Sequence, residues 1–324
     1  MPGWERALGE RVVREPALFA EELSAPEGPV VGPGGWMLNV CSFTLTDRDW
    51  PWRGGDITAT HQSRPLHTHA VFNTSTADVT GIPAALAFGP DDCLYVTDEG
   101  RRAIVRVAPD GTQTDFISTC DGRRLNGPND LCFDEDGNLF FTDPWTSSLE
   151  NPIGGIYGYE WATGRLTKIA DGMAFPNGIV VREGRLYAAE TMTRKVWLFE
   201  VTGPGRAAGK TEFCTLPDMG TGEWQGGDGM ALDAKGNLYV TQLVAGCLRV
   251  YDPNARLLES IPTTGRRPTN VCFGGPNHDT LYVTVDDLGT MVTIPIGVAG
   301  YRLPFCPSRG AEHPWARMLP AGGQ

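Results

Sequence analysis

Residues 128–144 read PNDLCFDEDGNLFFTDP. A proline and a polar residue lead into a short apolar run, Asp136-Gly137 supplies a tight turn, and a second apolar run ends in Thr-Asp-Pro. That order describes a β-hairpin. The pattern recurs along the chain: PAALAFGPDDCLYVTDEG from Pro83, PNGIVVREGRLYAAET from Pro176, GDGMALDAKGNLYVTQ from Gly227 and PTNVCFGGPNHDTLYVTV from Pro268. PEGPVVGPGGWMLNVCS from Pro26 is a degenerate further copy. Six copies therefore run from about residue 26 to 285, with starts 41 to 57 residues apart. Each interval leaves room for two more strands after the hairpin. Units of this size with four strands each are propeller blades, and the expected fold is all-β, a six-bladed β-propeller.

Composition agrees. The chain has 324 residues, with 41 Gly and 25 Pro and no long helical stripe, which suits short strands and frequent turns. The runner-up architectures are a pair of β-sandwiches and a solenoid; a sandwich would not set one polar residue at the same phase of every repeat. Residues 1–24 are expected to be an N-terminal segment in which Arg11 to Leu23, with Ala17-Leu18-Phe19, completes the last blade and leaves no open edge. The propeller would span 25–296. The tail 297–324, with Pro304, Pro307 and Pro314, reads as irregular. The stretch from Asp47 to Ala70 is an enlarged loop or hairpin of the first blade.

In a propeller, equivalent positions of the blades meet around one axis. The residues after the leading Pro or Gly are Glu27, Ala84, Asn129, Asn177, Asp228 and Thr269. Each alone is ordinary turn chemistry. Together, Glu27, Asn129, Asn177 and Asp228 offer two carboxylates and two amide carbonyls to one point, a hard-oxygen set suited to one divalent cation, Ca²⁺ first. No His or Cys stands at this phase, which disfavours a tetrahedral Zn²⁺ site; Mg²⁺, Mn²⁺ and Zn²⁺ are the alternatives to Ca²⁺.

These copies are similar to the gluconolactonase, senescence-marker-protein (regucalcin) and luciferin-regenerating-enzyme family, over roughly Pro26 to Thr284. The resemblance implies a six-bladed propeller with one catalytic divalent cation on its axis, and lactonase activity, with organophosphate hydrolases among the relatives. It places Glu27 on the family's EGP motif, Asn129 on its ND motif, Asn177 on its PNG motif and Asp228 on its DG motif, as metal ligands, with Asp228 also a candidate base. Some lactonase members carry an Arg just before the ND motif that contacts a sugar. Here Gly127 and Pro128 stand there, so that sugar contact does not carry over.

Other candidates surround this set. Asp130 adjoins Asn129, and is either a catalytic carboxylate, a ligand or a strand cap. Asn270 follows Thr269 and is a candidate substrate contact. Trp145 and Trp224 flank the site loops and are either pocket walls or ordinary surface or core aromatics. Asp98, Asp143, Glu190 and Gln242 end the second strands. They are expected on the face opposite the metal, or close behind the ligands if the hairpin is bulged, with Glu190 the one weighed for catalysis. His67 and His69, near His61, are either a proton shuttle or solvated loop residues.

The rest is exclusion. A net charge of −12 with no basic run argues against nucleic acid. No stretch approaches a membrane span. MPGWERALGERVVREP has no apolar signal core, and the eight Cys form no CxxC pair, so a cytoplasmic protein with reduced thiols is expected. No GxSxG elbow supports a serine nucleophile. Three readings follow. One is a metal-dependent hydrolase of a lactone or related cyclic ester, acting on a small molecule. Another keeps the fold for organophosphate or aryl-ester hydrolysis, or for a lyase or condensation step. The last is a non-catalytic binding propeller with a structural cation.

Overall fold

A computed structural model describes residues 14–43, 51–222, 224–307 and 312–320. The apolar runs of each repeat form the first two strands of a four-stranded antiparallel sheet, and there are six such sheets. Their first strands are Pro26–Val31, Pro83–Phe88, Leu131–Phe133, Pro176–Arg182, Gly227–Leu232 and Pro268–Gly274. These touch one another in sequence, and Pro268–Gly274 returns to Pro26–Val31, so they ring the axis. The architecture is a six-bladed β-propeller.

The sixth sheet closes the circle. Pro268–Gly274, Thr280–Val285 and Thr290–Pro295 are joined at the outer edge by Ala17–Ala20, with Ala17 opposite Thr293. The first and last parts of the chain thus share one blade, which removes an open seam. Residues 11–13 of the expected closing segment, and residues 44–50 of the enlarged first-blade loop, lie outside the described residues.

The core lies between blades. Val30, Leu38 and Val40 of the first blade pack on Leu86, Phe88 and Val96 of the second. Equivalent wedges recur around the ring, as where Met230, Leu232 and Val240 meet Tyr187, Ala189 and Val196. Both faces of each sheet are therefore covered, which is why the inner strands read as nearly continuous apolar runs. At the axis the strands come closer than side chains allow. A Cβ on Gly178 would stand 2.2 Å from the Asp228 carbonyl oxygen, and one on Gly28 would stand 2.4 Å from Ala85 Cα. Glycine after Glu27 and Asn177 is what lets the neighbouring strands converge.

A second device ties the ring. Near the end of each blade's second strand, or at the start of the sixth blade's first, a hydroxyl donates to the backbone carbonyl that opens the next blade. Ser42 donates to Pro83, Thr97 to Asn129, Thr142 to Asn177, Thr191 to Gly227, Thr241 to Thr269, and Thr269 to Pro26. The recurrent Thr of the YVT and FFT runs is thus an inter-blade clasp, and it grips the backbone of Asn129 and Asn177 directly.

On the face where the inner strands end, the segment after Pro295 crosses the axis. Tyr301 donates its amide to the Leu232 carbonyl at 2.8 Å, Phe305 packs edge-on against Phe133, and the short 3-10 helix Pro314–Arg317 buries Trp315 against Phe72 and Phe88. The tail expected to be irregular covers this face of the channel. Among the described residues no helix is long and apolar enough to cross a membrane.

Candidate active site

In an antiparallel hairpin the second strand ends beside the point where the first begins. Pro83 pairs with Asp98, Pro176 with Glu190 and Gly227 with Gln242. The inner-strand starts, the loops after each second strand and the loops that enter each blade therefore share one face. A cavity of about 620 Å³ opens there. Its floor is formed by the strand starts, with Glu27, Asn129, Asn177 and Asp228 all facing it, together with Ala84 and Thr269.

The floor is crowded with buried acid. Burial pushes the Glu27 carboxyl up to about 8, and the charge of Asp130 adds to this, while the Gly28 amide and the Asn270 side chain pull it down. Asp228 is raised well above the ordinary carboxylate range by burial and by repulsion from Glu27 and Asp130. Asn177 donates its amide nitrogen to Thr191 Oγ1 at 3.1 Å, while its Oδ1 is buried with no hydrogen-bond partner. Asn129 donates to Glu99 Oε1 at 2.8 Å. Thr269 commits its hydroxyl to Pro26 and Thr284.

Glu99 went unread in the sequence. In the second blade the inner position is Ala84, which offers no oxygen. Glu99, from the loop after that blade's second strand, lines the cavity instead. Burial pushes its carboxyl to about 8, with repulsion from Glu27, Asp98 and Asp143 opposing the pull of Asn129. The signal was the acidic pair Asp98-Glu99 at a strand end, in the one copy whose inner position carries alanine.

Trp145 and Trp224 both wall the cavity. Four other candidates lie elsewhere. Asp130 points beneath the floor, into a narrow axial channel of about 90 Å³, close enough for its charge to act on Glu27 and Asp228. Its carboxylate accepts from Leu131 N at 2.8 Å and Ile179 N at 2.9 Å, strapping the third blade to the fourth. Asn270 lines the same channel, accepts from Val271 N at 2.8 Å and meets the Glu27 carboxyl from below the floor. His67 and His69 sit toward the opposite face: His69 pairs with Ala59 on the strand that ends at His61, and His61 bonds Gly34 O in the turn between the first two strands. A proton shuttle to the floor is thereby excluded.

The strand-end residues share the site's face, as expected for bulged hairpins, and the register does shift between Pro83 and Ala85, Pro176 and Ile179, and Gly227 and Met230. They turn into their own loops. Asp143 accepts from Asn126 N at 2.8 Å and Gly127 N at 2.7 Å, and Asp98 from Ile82 N and Arg101 N. Gln242 donates to Pro217 O and Gln225 O. Glu190 accepts from Ala174 N at 2.6 Å, Thr193 Oγ1 at 2.8 Å and Trp197 Nε1 at 2.7 Å, which commits both oxygens. Glu190→Ala should cost about 2–4 kcal/mol of stability, since it strands buried N–H donors. Cation affinity should not change. Urea unfolding and calorimetric titration check both; lost cation binding in a folded variant would return Glu190 to the site.

Residues 56–286 match the family model described as SMP-30/gluconolactonase/LRE-like region. The chain belongs to that family. Diisopropyl-fluorophosphatase of Loligo vulgaris is 33% identical over 221 residues, covering 63% of this chain and 68% of the squid protein. Gluconolactonase of Zymomonas mobilis is 28% identical over 211 residues, covering 60% of this chain and 58% of that enzyme. The fold is also that of a calcium-binding regucalcin from Agrobacterium tumefaciens, with TM-score 0.70 at 18% identity, covering 90% of this chain and 97% of that one.

Proposed function

We propose that this family member is a divalent-cation-dependent hydrolase of a lactone or related cyclic ester. The observation that carries the reading is the cavity floor: buried carboxylates that repel one another, and the Asn177 carbonyl oxygen without a partner. Arg267 is the one cationic side chain among the described residues lining the cavity, and it is paired with Asp286 at 3.1 Å. Among the described residues no three His, Cys, Asp or Glu side chains form a metal cluster by themselves, so the amide oxygens must contribute. Glu27, Asn129, Asn177 and Asp228 fit one hard cation, Ca²⁺ before Mg²⁺, Mn²⁺ or Zn²⁺, with charges that offset it.

When bound, the cation supplies positive charge at the ester carbonyl oxygen, where negative charge develops as water adds. The chain supplies the rest. Asp228 takes the proton from the attacking water and returns it to the departing ring oxygen, so water adds across the C–O bond and a hydroxy acid leaves. Burial of the floor keeps bulk water from solvating the carboxylates and holds them in place. The eight thiols are all free, which suits a reducing, cytoplasmic setting.

A second reading, organophosphate hydrolysis, is favoured by the likeness to diisopropyl-fluorophosphatase. One experiment separates the alternatives. Protein stripped with chelator is titrated with Ca²⁺ in a calorimeter, and turnover of lactones, aryl esters and diisopropyl fluorophosphate is measured with and without the ion. About one ion per chain and a loss of at least ~100-fold in lactone turnover on stripping are expected. Undiminished turnover in stripped protein refutes the cation's role. Tight Ca²⁺ binding with no turnover of any class leaves a binding propeller.

A further inference from the structure

The cavity above the carboxylate floor is built for one kind of ester. Its wall carries Phe43, Trp145, Phe175, Trp224 and Leu243. Phe175 and Trp224 meet edge to face, with ring centroids 4.6 Å apart, and Trp224 remains 44% exposed toward the opening. The volume, about 620 Å³, lies in the range that encloses drug-sized organic molecules.

Most hydroxyls on that wall are committed to the protein. Ser42 donates to Pro83 O at 2.7 Å, and Thr269 to Pro26 O at 2.8 Å. Ser147 donates to Met173 O and accepts from Gly154 N at 3.1 Å and Phe175 N at 3.2 Å. Arg267 meets Asp286 through Nε at 3.1 Å and, with Thr146, is among the wall's remaining donors to a guest. Thr146 is the remaining hydroxyl of the described wall. A polyhydroxylated ring entering here would give up water at several hydroxyls and find few partners, which penalises binding and transition state alike. An apolar body would displace water from aromatic faces instead.

The wall is also fixed in shape. Phe175 and Thr146 both adopt left-handed backbone angles, φ 60° and 64°, which non-glycine residues avoid. Phe175 is clamped there, its amide on Ser147 Oγ and its carbonyl accepting from Thr191 N at 3.0 Å. A strained, clamped aromatic presents a preformed surface rather than one that rearranges to suit a polar guest.

We infer that the substrate is a lactone or cyclic ester carrying a bulky apolar substituent, aryl or alicyclic, seated against Trp145 and the Phe175–Trp224 pair, and that polyhydroxy sugar lactones are poor substrates. This rests on the hydrolase reading above.

The test compares kcat/KM for dihydrocoumarin and an alkyl-substituted γ-lactone with that for glucono-1,5-lactone, each above its uncatalysed rate, in Ca²⁺-loaded protein. The apolar lactones should lead by about 100-fold or more. Trp224→Ala, at a half-exposed position where folding is not at stake, should raise KM for dihydrocoumarin about 10-fold with kcat within about two-fold, and Trp224→Phe should recover most of it. Glucono-1,5-lactone turned over as well as dihydrocoumarin, or a KM indifferent to Trp224→Ala, overturns the inference while the hydrolase reading stands. Protein that holds one Ca²⁺ yet hydrolyses no lactone of either class overturns the hydrolase reading, and this inference with it.

Discussion

Asp228→Ala should abolish stoichiometric Ca²⁺ binding and reduce lactone turnover by about 10³-fold or more, the largest effect expected of any single substitution. Asp228 is one of two carboxylates in the proposed ligand set, and its removal halves the negative charge set against the ion. The amide oxygens of Asn129 and Asn177 cannot replace that charge. The same substitution should have the opposite effect on the empty fold. Asp228 is buried, and its charge is opposed by Glu27 and Asp130. Taking it away relieves that repulsion, so cation-free Asp228→Ala should unfold at a denaturant concentration at or above that of the cation-free parent. With Ca²⁺ at about 100 times its dissociation constant, only the parent should gain, by about 2.7 kcal/mol. Denaturant midpoints for both proteins, with Ca²⁺ and with chelator, give the four numbers required. A variant that keeps its Ca²⁺-dependent gain would remove Asp228 from the ligand set.

The fold was legible because it is repetitive. One hairpin pattern written six times carries the blade count, and equivalence around an axis picks out the same phase in every copy. That is why Glu27, Asn129, Asn177 and Asp228 come together on one cavity floor. What departed from reading was local geometry. Asp130 follows Asn129 just ahead of its strand and turns beneath the floor, where it straps the third blade to the fourth while its charge still acts on Glu27 and Asp228. Asn270, one place past Thr269, shares that fate. Glu190 reads as a catalytic candidate from its position, but Ala174 in the linker entering the blade, Thr193 in the following turn and Trp197 on the next strand occupy it. Glu99 escaped because the repeat was followed at the start of each first strand, whereas Glu99 stands just after a second strand, in register with Ser42, Thr191, Leu243 and Asp286. Phe175 and Leu243 do sit at repeated places, one before a first strand and one after a second, but residue type there varies from Ala25 to Arg267 and from Ser42 to Asp286, so no shared chemistry marks them in the sequence. The inter-blade hydroxyls were the reverse case: the Thr is visible in several copies, but its partner carbonyl lies in the next blade and is seen only once the blades are arranged.

The base can be assigned by isosteric substitution. Asp228→Asn keeps an oxygen that can face the cation and loses the proton acceptor, so it should retain Ca²⁺ with weakened affinity while kcat falls by about 10²-fold or more. The competing carboxylate is Glu99, which lines the same cavity and contacts Asn129 without belonging to the proposed ligand set. A carboxylate bound to a dication is a weaker base than one standing beside it, and this favours Glu99. Position favours Asp228, since a group at the ion's edge reaches a water held over the floor. Glu99→Gln preserves the acceptor for the Asn129 amide, so the floor should keep its shape, and kcat should fall less than about 10-fold if Asp228 is the base. Asp130→Asn serves as the control. It replaces one of two oxygens that accept backbone N–H groups, and should lower stability and change kcat of the folded, Ca²⁺-loaded protein less than about 10-fold, through the charge it sets on Glu27 and Asp228. The measurement is kcat at saturating Ca²⁺ for all three variants. Near-normal turnover in Asp228→Asn with collapse in Glu99→Gln would transfer the proton to Glu99 and leave Asp228 as a ligand alone.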